Sequence, residues 1–425
     1  MNAPDTHKLF RWIPTLYFAQ GLPYVAVMTL SVVMYKNLAL SNTQIALYTS
    51  WLYLPWVIKP LWAPLVDLVG AKRGWVVGTQ LLVGGGLAAV GLLLPTTDFV
   101  RWTLVAFWLM AFSSATHDIA ADGFYMLALH PHRQAAFVGV RSTFYRLAMI
   151  AGQGGLVYLA GVLQARTGSF VLAWEGIFLL MAAAFFLFAA YHRWVLPRPA
   201  ADVSRGRPAA ALGHDFIAVF GAFFKRPGIG VMLAFLLLYR FPEAQLLKLA
   251  VPFLLDPPSA GGLGLSTQEV SIVYGTVGVT ALTIGGILGG LVIARFGLRR
   301  AIWPLVLCVH LPNLVFVVLA IYLPANPWLV GSALAVEQFG YGFGFTAYML
   351  YMIMISQGPH QTAHYAICTG FMALGMMLPG MFSGWLQAQL GYLNFFIWVC
   401  AAAIPSLYVV SLVNIDPGFG RKDSD

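Results

Sequence analysis

The chain has 425 residues, of which 60% are hydrophobic and only 9% are charged. Soluble domains carry about 25% charged residues, so the composition excludes an ordinary soluble enzyme and predicts a membrane protein. The net charge of +9 would suit an anionic partner such as nucleic acid. Most basic residues lie in short connections between apolar segments, where they orient helices in a membrane. We therefore expect a lipid bilayer as the partner and no nucleic acid.

Apolar segments long enough to span a bilayer recur along the whole chain. A spanning helix needs about 20 residues, and the polar, proline and glycine breaks divide the sequence into segments of this length. The pattern predicts an all-α membrane protein with about twelve transmembrane helices. The predicted spans are 11–38, 43–68, 75–95, 101–128, 135–164, 170–194, 226–255, 266–295, 300–323, 327–356, 362–390 and 392–414.

Basic residues indicate the orientation of these helices. An even number of spans places both termini on one side, and the side richer in Lys and Arg faces the cytoplasm. That side receives Lys72-Arg73, Arg205 to Arg207 and Arg299-Arg300, whereas Lys36, Arg101 and Arg166 fall on the other. We expect a bacterial inner-membrane protein with both termini in the cytoplasm. The first apolar segment is too long for a signal peptide.

Three local signals recur at nearly constant spacing and predict two related halves. Ser266-Thr267 follows Ser41-Asn42 by 225 residues, and both look like helix N-caps. Gly297 with its basic pair follows Gly70 by 227 residues, and Pro359-His360 follows Pro131-His132 by 228 residues. We expect an N-terminal six-helix half over 1–194, a cytoplasmic linker over 195–225 and a C-terminal six-helix half over 226–425.

This layout is that of major facilitator transporters, and the loop after the second helix resembles their signature. Asp67, Gly70, Lys72 and Arg73 match its acidic residue, tight turn and basic pair. The resemblance implies a conformational latch, in which the carboxylate engages basic groups or a helix N-terminus in one state only. The alternative is a turn that serves the positive-inside rule alone. The second half has Ala294 at the acidic position.

Ionisable residues inside spanning helices are costly and are functional candidates. Asp118 and Asp122 are four residues apart and share one face of the fourth helix. Because the fourth and fifth helices are antiparallel, we expect the pairs Asp122–Arg141 and Asp118–Arg146. With Lys59 they form a predicted charge network whose carboxylates could exchange protons as their partners move. A permanent ion pair that holds the hairpin together is the alternative.

The seventh helix combines charge with a break. Pro242 lacks an N–H and interrupts the ladder between Arg240 and Glu243, and broken helices at mid-depth are where transporter sites form. Gln20 lies at comparable depth in the first helix, and tyrosines follow Glu337 in the tenth, where packing is their alternative role. The predicted substrate-binding residues are Gln20, Tyr24, Tyr145, Arg240, Glu243, Glu337 and Gln338.

Several segments resemble the AmpG-type permeases, relatives of the acetyl-coenzyme A transporters. They are Lys59-Pro-Leu-Trp-Ala-Pro-Leu-Val-Asp67, Lys72-Arg-Gly-Trp75, Ser114-Ala-Thr-His-Asp-Ile-Ala-Ala-Asp122, Tyr145-Arg146, Trp174-Glu-Gly176 and Tyr239-Arg-Phe-Pro-Glu243. The family commonly has Gln where His117 stands, and the AmpG members proper carry further hydrophobic segments. His117 also points about 100° around the helix from Asp118, so a role in proton relay is a secondary hypothesis.

The resemblance implies proton-driven import of amino-sugar-containing muropeptides, and related short members take other cargo. We expect a proton-coupled symporter for a polar organic solute, with a siderophore or other metabolite as the alternative cargo. Drug export by antiport is less favoured because the segment after Arg146 lacks the Gly-Pro pair of exporters. A membrane transferase is disfavoured, since no nucleophile motif or metal-ligand spacing occurs. We expect no enzyme activity, no cofactor, no metal and a monomer.

Overall fold

The computed structural model describes residues 6–129, 131–200, 202, 218, 220–358 and 361–420. Within these residues, ten helical segments are long and apolar enough to cross a bilayer. One of them, Ala363–Leu412, contains two helices that meet at Gly391, where φ is 72°. Two further helices in succession, Asn42–Trp51 and Leu54–Leu68, occupy the predicted second span. The prediction of an all-α fold with about twelve spanning helices is confirmed.

The helices are numbered α1 to α12 in chain order. Their bounds are α1 Lys8–Asn37, α2 Asn42–Trp51 with Leu54–Leu68, α3 Lys72–Leu93, α4 Phe99–Ala128, α5 Gly139–Thr167, α6 Phe170–Val195, α7 Ile229–Leu255, α8 Thr267–Phe296, α9 Leu298–Tyr322, α10 Pro327–Ser356, α11 361–390 and α12 391–412.

The helix starts and turns repeat as the sequence predicts. Ser41 and Ser266 each form a capping box, in which the serine hydroxyl accepts from the backbone N–H three residues on and that residue's side chain bonds back. Gly70 and Gly297 have φ values of 73° and 79°, a conformation that favours glycine. The third repeated signal falls partly on residues 359–360, which lie outside the described residues.

Several spanning helices depart from regular α geometry. α1, α5 and α8 contain π-helical turns at Ala26–Leu30, Ile150–Leu156 and Ser271–Gly278. α7 is interrupted between Ile229–Leu238 and Phe241–Leu255. Such irregular turns are frequent at functional sites because they expose backbone groups and re-aim side chains.

The first compact unit comprises Met1–Met34 and Ile58–Leu212. Within it, α3 packs between α4 and α6, and α1 packs on α5. Trp12, Phe124 and Trp174 are among its fully buried side chains. This packing brings the polar residues of α1, α3, α4, α5 and α6 into the interior of one bundle.

The second unit comprises Tyr35–Val57 and Gly213–Asp425. Within it, α10 packs between α8 and α9, while the first part of α2 and the second part of α7 both pack on α11. A Cβ placed on Gly342 would overlap the carbonyl oxygen of Leu282, and one on Gly285 would overlap that of Phe339. Small residues at these crossings let α8 and α10 approach closely, as in other membrane bundles.

Candidate functional site

An ion pair with an aromatic cradle occupies the first unit. Arg141 Nη2 on α5 lies 2.7 Å from Asp122 Oδ1 on α4, which is the pairing that the hairpin geometry predicts. Tyr17 on α1 donates to the same carboxylate oxygen at 3.1 Å. The Arg141 guanidinium stacks 4.4 Å from the Tyr17 ring centroid and 5.1 Å from that of Tyr125. Three helices therefore converge on one carboxylate.

Other predicted residues of the first unit lie on α1 and α5. Tyr145 on α5 interacts electrostatically with Tyr24, Asp118 and Asp122. Gly21 lets α1 approach α5 closely, since a Cβ on this residue would lie 2.8 Å from the Ala148 Cβ and 3.0 Å from the Tyr145 carbonyl oxygen. Gln20 is buried, and its Oε1 has no hydrogen-bond partner among the described residues.

Two charged residues of the predicted network lie in the same unit. Lys59 on α2 and Arg146 on α5 are both half-buried. The pairing of Asp118 with Arg146 stays a prediction, as does a role in proton coupling for Asp118, Asp122, Arg141, Arg146 and Lys59. The structure supplies the Asp122–Arg141 geometry on which such a role depends.

A chain of buried polar groups links four helices of the first unit. Gln80 Nε2 on α3 lies 3.1 Å from His117 Nε2 on α4, and Gln80 Oε1 lies 3.0 Å from His192 Nδ1 on α6. The chain ends at Thr15 on α1, whose Oγ1 lies 3.0 Å from His192 Nε2. His117 thus faces Gln80, which agrees with its placement on a different helix face from Asp118.

The predicted latch region contacts a residue that the sequence did not suggest. Asp202 accepts hydrogen bonds from the backbone N–H groups of Lys72 at 2.7 Å and Arg73 at 3.1 Å. Because α3 has no side-chain N-cap of its own at Ala71, the Asp202 carboxylate satisfies the free amides of its first turn. The side chain of Asp67 lies outside the described part of the chain, and the latch stays a prediction.

In the second unit, the break in α7 faces aromatic residues of α10. Arg240 is the N-cap residue of the second half-helix, and its guanidinium donates to the Tyr341 hydroxyl. The same guanidinium lies 4.7 Å from the Phe345 ring centroid. Two aromatic faces and a hydroxyl hold this cation beside the interrupted backbone.

Glu337 and Gln338 are buried on α10 close to the same break. Gln338 Nε2 donates to Glu337 Oε2 at 2.9 Å. Glu337 interacts electrostatically with Glu243, and Tyr274 on α8 interacts with both Glu337 and Tyr341. The predicted substrate residues of the second half are therefore gathered by α7 and α10, while their function stays a prediction.

Glu243 makes a buried contact that the sequence did not indicate. Its Oε1 lies 2.9 Å from His310 Nδ1 on α9, and the two side chains are 0% and 3% exposed. His310 Nε2 lies 2.8 Å from Ser406 Oγ on α12. Asn313 Nδ2 donates to the same Glu243 oxygen at 3.3 Å. One carboxylate thereby connects α7, α9 and α12.

A second ion pair lies in the second unit. Lys36 Nζ is 2.6 Å from Asp256 Oδ1. The other carboxylate oxygen accepts from the Tyr392 hydroxyl at 2.6 Å and from Asn42 Nδ2 at 3.3 Å. Asn42 also donates to Gln387 at 2.9 Å. This cluster joins α1 and α2 to α7, α11 and α12.

Comparison with known proteins identifies the fold family. The Major Facilitator Superfamily model matches residues 15–352. The chain belongs to this superfamily. It is 27% identical to the Anhydromuropeptide permease of Escherichia coli K12 over 370 residues, covering 84% of this chain and 70% of the relative. It is 24% identical to the Putative transporter AmpG 4 of Rickettsia conorii, covering 96% and 97% of the two chains.

Solved structures agree on the fold. A crystal structure of a POT family transporter in complex with a thioalcohol-conjugated peptide superposes with a TM-score of 0.71 at 10% identity, covering 94% of this chain and 95% of that one. At this identity the likeness concerns the fold alone. The chain is a multi-pass membrane transporter of the major facilitator type, and the resemblance to AmpG permeases seen in the sequence is confirmed.

The sequence of this major facilitator protein did not predict three residues that contact charged side chains. Tyr17, His310 and Asp256 each contact a charged side chain. A signal existed for His310, which is an ionisable residue within an apolar run. Tyr17 and Asp256 carry no local signal, because an aromatic residue in α1 and an acid after α7 are ordinary in a membrane protein. The described residues contain no group of acids, histidines and cysteines suited to a metal ion.

Proposed function

We propose that this transporter is a proton-coupled symporter that imports a polar organic solute across the bacterial inner membrane by alternating access. The solute is a muropeptide, an amino sugar or a related saccharide. Both termini face the cytoplasm, and the monomer is the working unit. The six-helix halves over 1–194 and 226–425, joined by the linker over 195–225, are the parts whose movement alternates access.

The observation that carries the proposal is the cluster at Asp122. A carboxylate within a spanning helix is costly unless it serves an ion or substrate path. Here it is joined to Arg141 and to the Tyr17 hydroxyl, so protonation of the carboxylate would weaken the ion pair and release the arginine. That exchange is the elementary step that couples a proton to movement between helices. Lys59, Asp118 and Arg146 complete the proposed network.

The cargo follows from the relatives and from the cationic groups. Similar proteins carry the names anhydromuropeptide permease and AmpG. Peptidoglycan fragments combine sugar hydroxyls, amides and carboxylates, which suit aromatic, amide and cationic side chains. Arg240 is held by aromatic residues, and the buried Lys248 Nζ contacts the Thr49 hydroxyl at 3.0 Å. We propose that the substrate contacts Gln20, Tyr24, Tyr145, Arg240, Glu243, Glu337 and Gln338.

The loop after α2 is proposed as the conformational latch. Asp67, Gly70, Lys72 and Arg73 match the superfamily signature, and Asp202 is the carboxylate that engages the first turn of α3 in this structure. A latch of this kind would release when another carboxylate takes the place of Asp202 at the helix N-terminus.

Uptake by purified protein in vesicles tests the proposal. Labelled anhydromuropeptide, a neutral oligosaccharide and a ferric siderophore are each offered with and without an inward proton gradient. We expect the anhydromuropeptide alone to accumulate, and only with the gradient. Equilibration without accumulation would contradict proton coupling while leaving transport intact. Accumulation of the siderophore instead would assign the protein to metal-chelate uptake.

A further inference from the structure

The Glu243–His310 pair lies in the unit that does not contain the Asp122 cluster. Both side chains are almost completely buried, and their contact at 2.9 Å joins α7 to α9. Glu243 stands in the first turn of the second half of α7, directly after the helix break. Two titratable groups in contact at a broken helix form a second centre at which a proton could be bound.

The direction of one hydrogen bond determines how many protons this centre holds. Ser406 Oγ donates its single hydrogen to the Tyr239 carbonyl oxygen at 3.1 Å. That carbonyl lies at the end of the first half of α7, where helix carbonyls lack intrahelical donors. Ser406 can therefore only accept in its 2.8 Å contact with His310 Nε2, so His310 Nε2 carries a hydrogen.

The other ring nitrogen then requires a second hydrogen in the pair. A neutral imidazole protonated at Nε2 is an acceptor at Nδ1, and an ionised Glu243 is also an acceptor. Two acceptors 2.9 Å apart would repel. The observed contact therefore needs one additional proton, either on His310 Nδ1 or on Glu243 Oε1. The two side chains bind that proton jointly.

The surroundings of the carboxyl group are short of donors. Glu243 Oε2 and Asn313 Oδ1 are buried and have no hydrogen-bond partner among the described residues. A buried acceptor without a donor costs more when it carries charge. A proton on the carboxyl group lowers that cost, whereas its loss leaves a charge in an apolar interior. Proton binding is therefore tied to the packing of α7 on α9.

Neighbouring charges act on the pair from several helices. Glu243 stands in the first turn of a helix, and Glu337 on α10 interacts with it electrostatically. On α7, Lys248 is directed to Thr49 rather than to the pair. From α12 the facing group is Ser406, which does not titrate. Tyr239 on α7 interacts electrostatically with Glu243, and also with Arg240 on α7, Cys308 on α9 and Tyr348 on α10.

We propose that Glu243 and His310 form a proton-binding site of the C-terminal half, distinct from the Asp122 cluster, and that this structure shows it loaded with one proton. The inference rests on the proposed proton-coupled transport. Loss of the proton turns the Nδ1–Oε1 contact into a repulsion, so α7, α9 and α12 separate at the helix break. Reprotonation restores the contact. Substrate binding beside Arg240 thereby becomes linked to the protonation of Glu243.

Infrared spectroscopy of the purified full-length protein tests proton binding without a substrate. The C=O absorption of protonated carboxyl groups is followed as the pH is raised, in the wild type and in Glu243→Gln. We expect a titrating band in the wild type that is missing in Glu243→Gln. In His310→Gln the band should remain and titrate at a different pH, since its partner is changed. An identical titrating band in all three proteins, or the absence of a titrating band in the wild type, would overturn the proposal.

Vesicle transport separates this site from the proposed function. One pH unit supports about tenfold accumulation for one proton per solute, because a pH unit is a tenfold change in proton activity. We expect Glu243→Gln to lose gradient-driven accumulation of labelled anhydromuropeptide, so that the concentration inside the vesicles does not exceed the concentration outside. Glu175→Gln, the same change in a half-buried acid of α6, should accumulate normally.

These experiments distinguish failure of the Glu243–His310 proton site from failure of the proposed symport. Full accumulation by Glu243→Gln would overturn the second proton site and leave symport standing. Exchange without accumulation in the wild type would overturn symport, while the infrared titration still reports whether Glu243 binds a proton.

Discussion

Arg141 on α5 and Asp122 on α4 share one hydrogen bond of 2.7 Å, and their side chains are 28% and 42% exposed. A carboxylate this exposed can exchange a proton without a rearrangement of the surrounding side chains. The Tyr17 hydroxyl donates to the same oxygen. Protonation of Asp122 would therefore alter contacts among α1, α4 and α5.

Replacing Asp122 by Asn should abolish gradient-driven accumulation and leave the protein folded. The amide keeps the size and some hydrogen bonding but cannot exchange the proton. Partly exposed ion pairs contribute only about 1 kcal/mol or less, so the melting temperature should fall little. Asp98→Asn is the matched control, since Asp98 makes no side-chain cap at the start of α4. Normal accumulation by Asp122→Asn would reduce the pair to a structural role.

The Lys36–Asp256 pair should show a measurable coupling energy. Both side chains are largely sheltered, at 13% and 16% exposure, and Asp256 also accepts from Tyr392 and Asn42. Thermal unfolding of Lys36→Met, Asp256→Asn and the double variant gives this energy, which we expect at about 1 to 3 kcal/mol. Arg166→Met, at an exposed position, should change stability by less than about 0.5 kcal/mol. Additive single effects would contradict the expectation.

Asp202 should stabilise the start of α3. Replacing it by Ala removes both oxygens that accept from two backbone N–H groups, and losing a cap to Ala costs about 1 kcal/mol. Loss of the cap is measured by the unfolding temperature and by faster hydrogen exchange at the amides of Lys72 and Arg73. Unchanged exchange at these two amides would show that Asp202 does not cap the helix in solution.

Two glycines of the second unit should respond oppositely to the same change. Gly342→Ala places a methyl group against the Leu282 carbonyl oxygen, so α8 and α10 must move apart and the yield of folded protein should collapse. Gly290→Ala should be tolerated, because the nearest atom to its added Cβ, on Thr346, is 3.9 Å away. Size-exclusion profiles of the two variants in detergent compare them directly. Equal yields would show that the α8–α10 crossing is not tightly packed.

The sequence predicted those features that depend on local pattern. Hydropathy located the spanning helices, because a bilayer requires about 20 apolar residues in succession. Ser41 and Ser266 indicated two helix N-caps, and the structure shows that each forms a capping box, with Gln44 and Glu269 respectively. The Asp122–Arg141 pair followed from the antiparallel geometry of two consecutive helices. In each case the interacting residues are close in sequence or joined by one short turn.

The remaining contacts depend on packing between helices far apart in the chain. His310 reaches Glu243 only because α9 lies against α7, and Ser406 comes from α12. Lys36 and Asp256 likewise meet through the folding of α1 and α7 into one unit. A single sequence gives each helix its apolar content but does not state which helix faces which. The sequence therefore predicts which charged residues lie within the helices, but it does not predict which side chains they contact.

Tyr35–Val57 lies early in the sequence, yet it clusters with residues 213–425. A truncated polypeptide ending at the central linker would carry this stretch without the side chains that satisfy Lys36, Asn42 and Thr49. During synthesis these contacts with Asp256, Gln387 and Lys248 can form only after the later helices have been made. Coexpressed fragments cut at the linker should therefore mature only as a complemented pair, and the N-terminal fragment alone should be degraded.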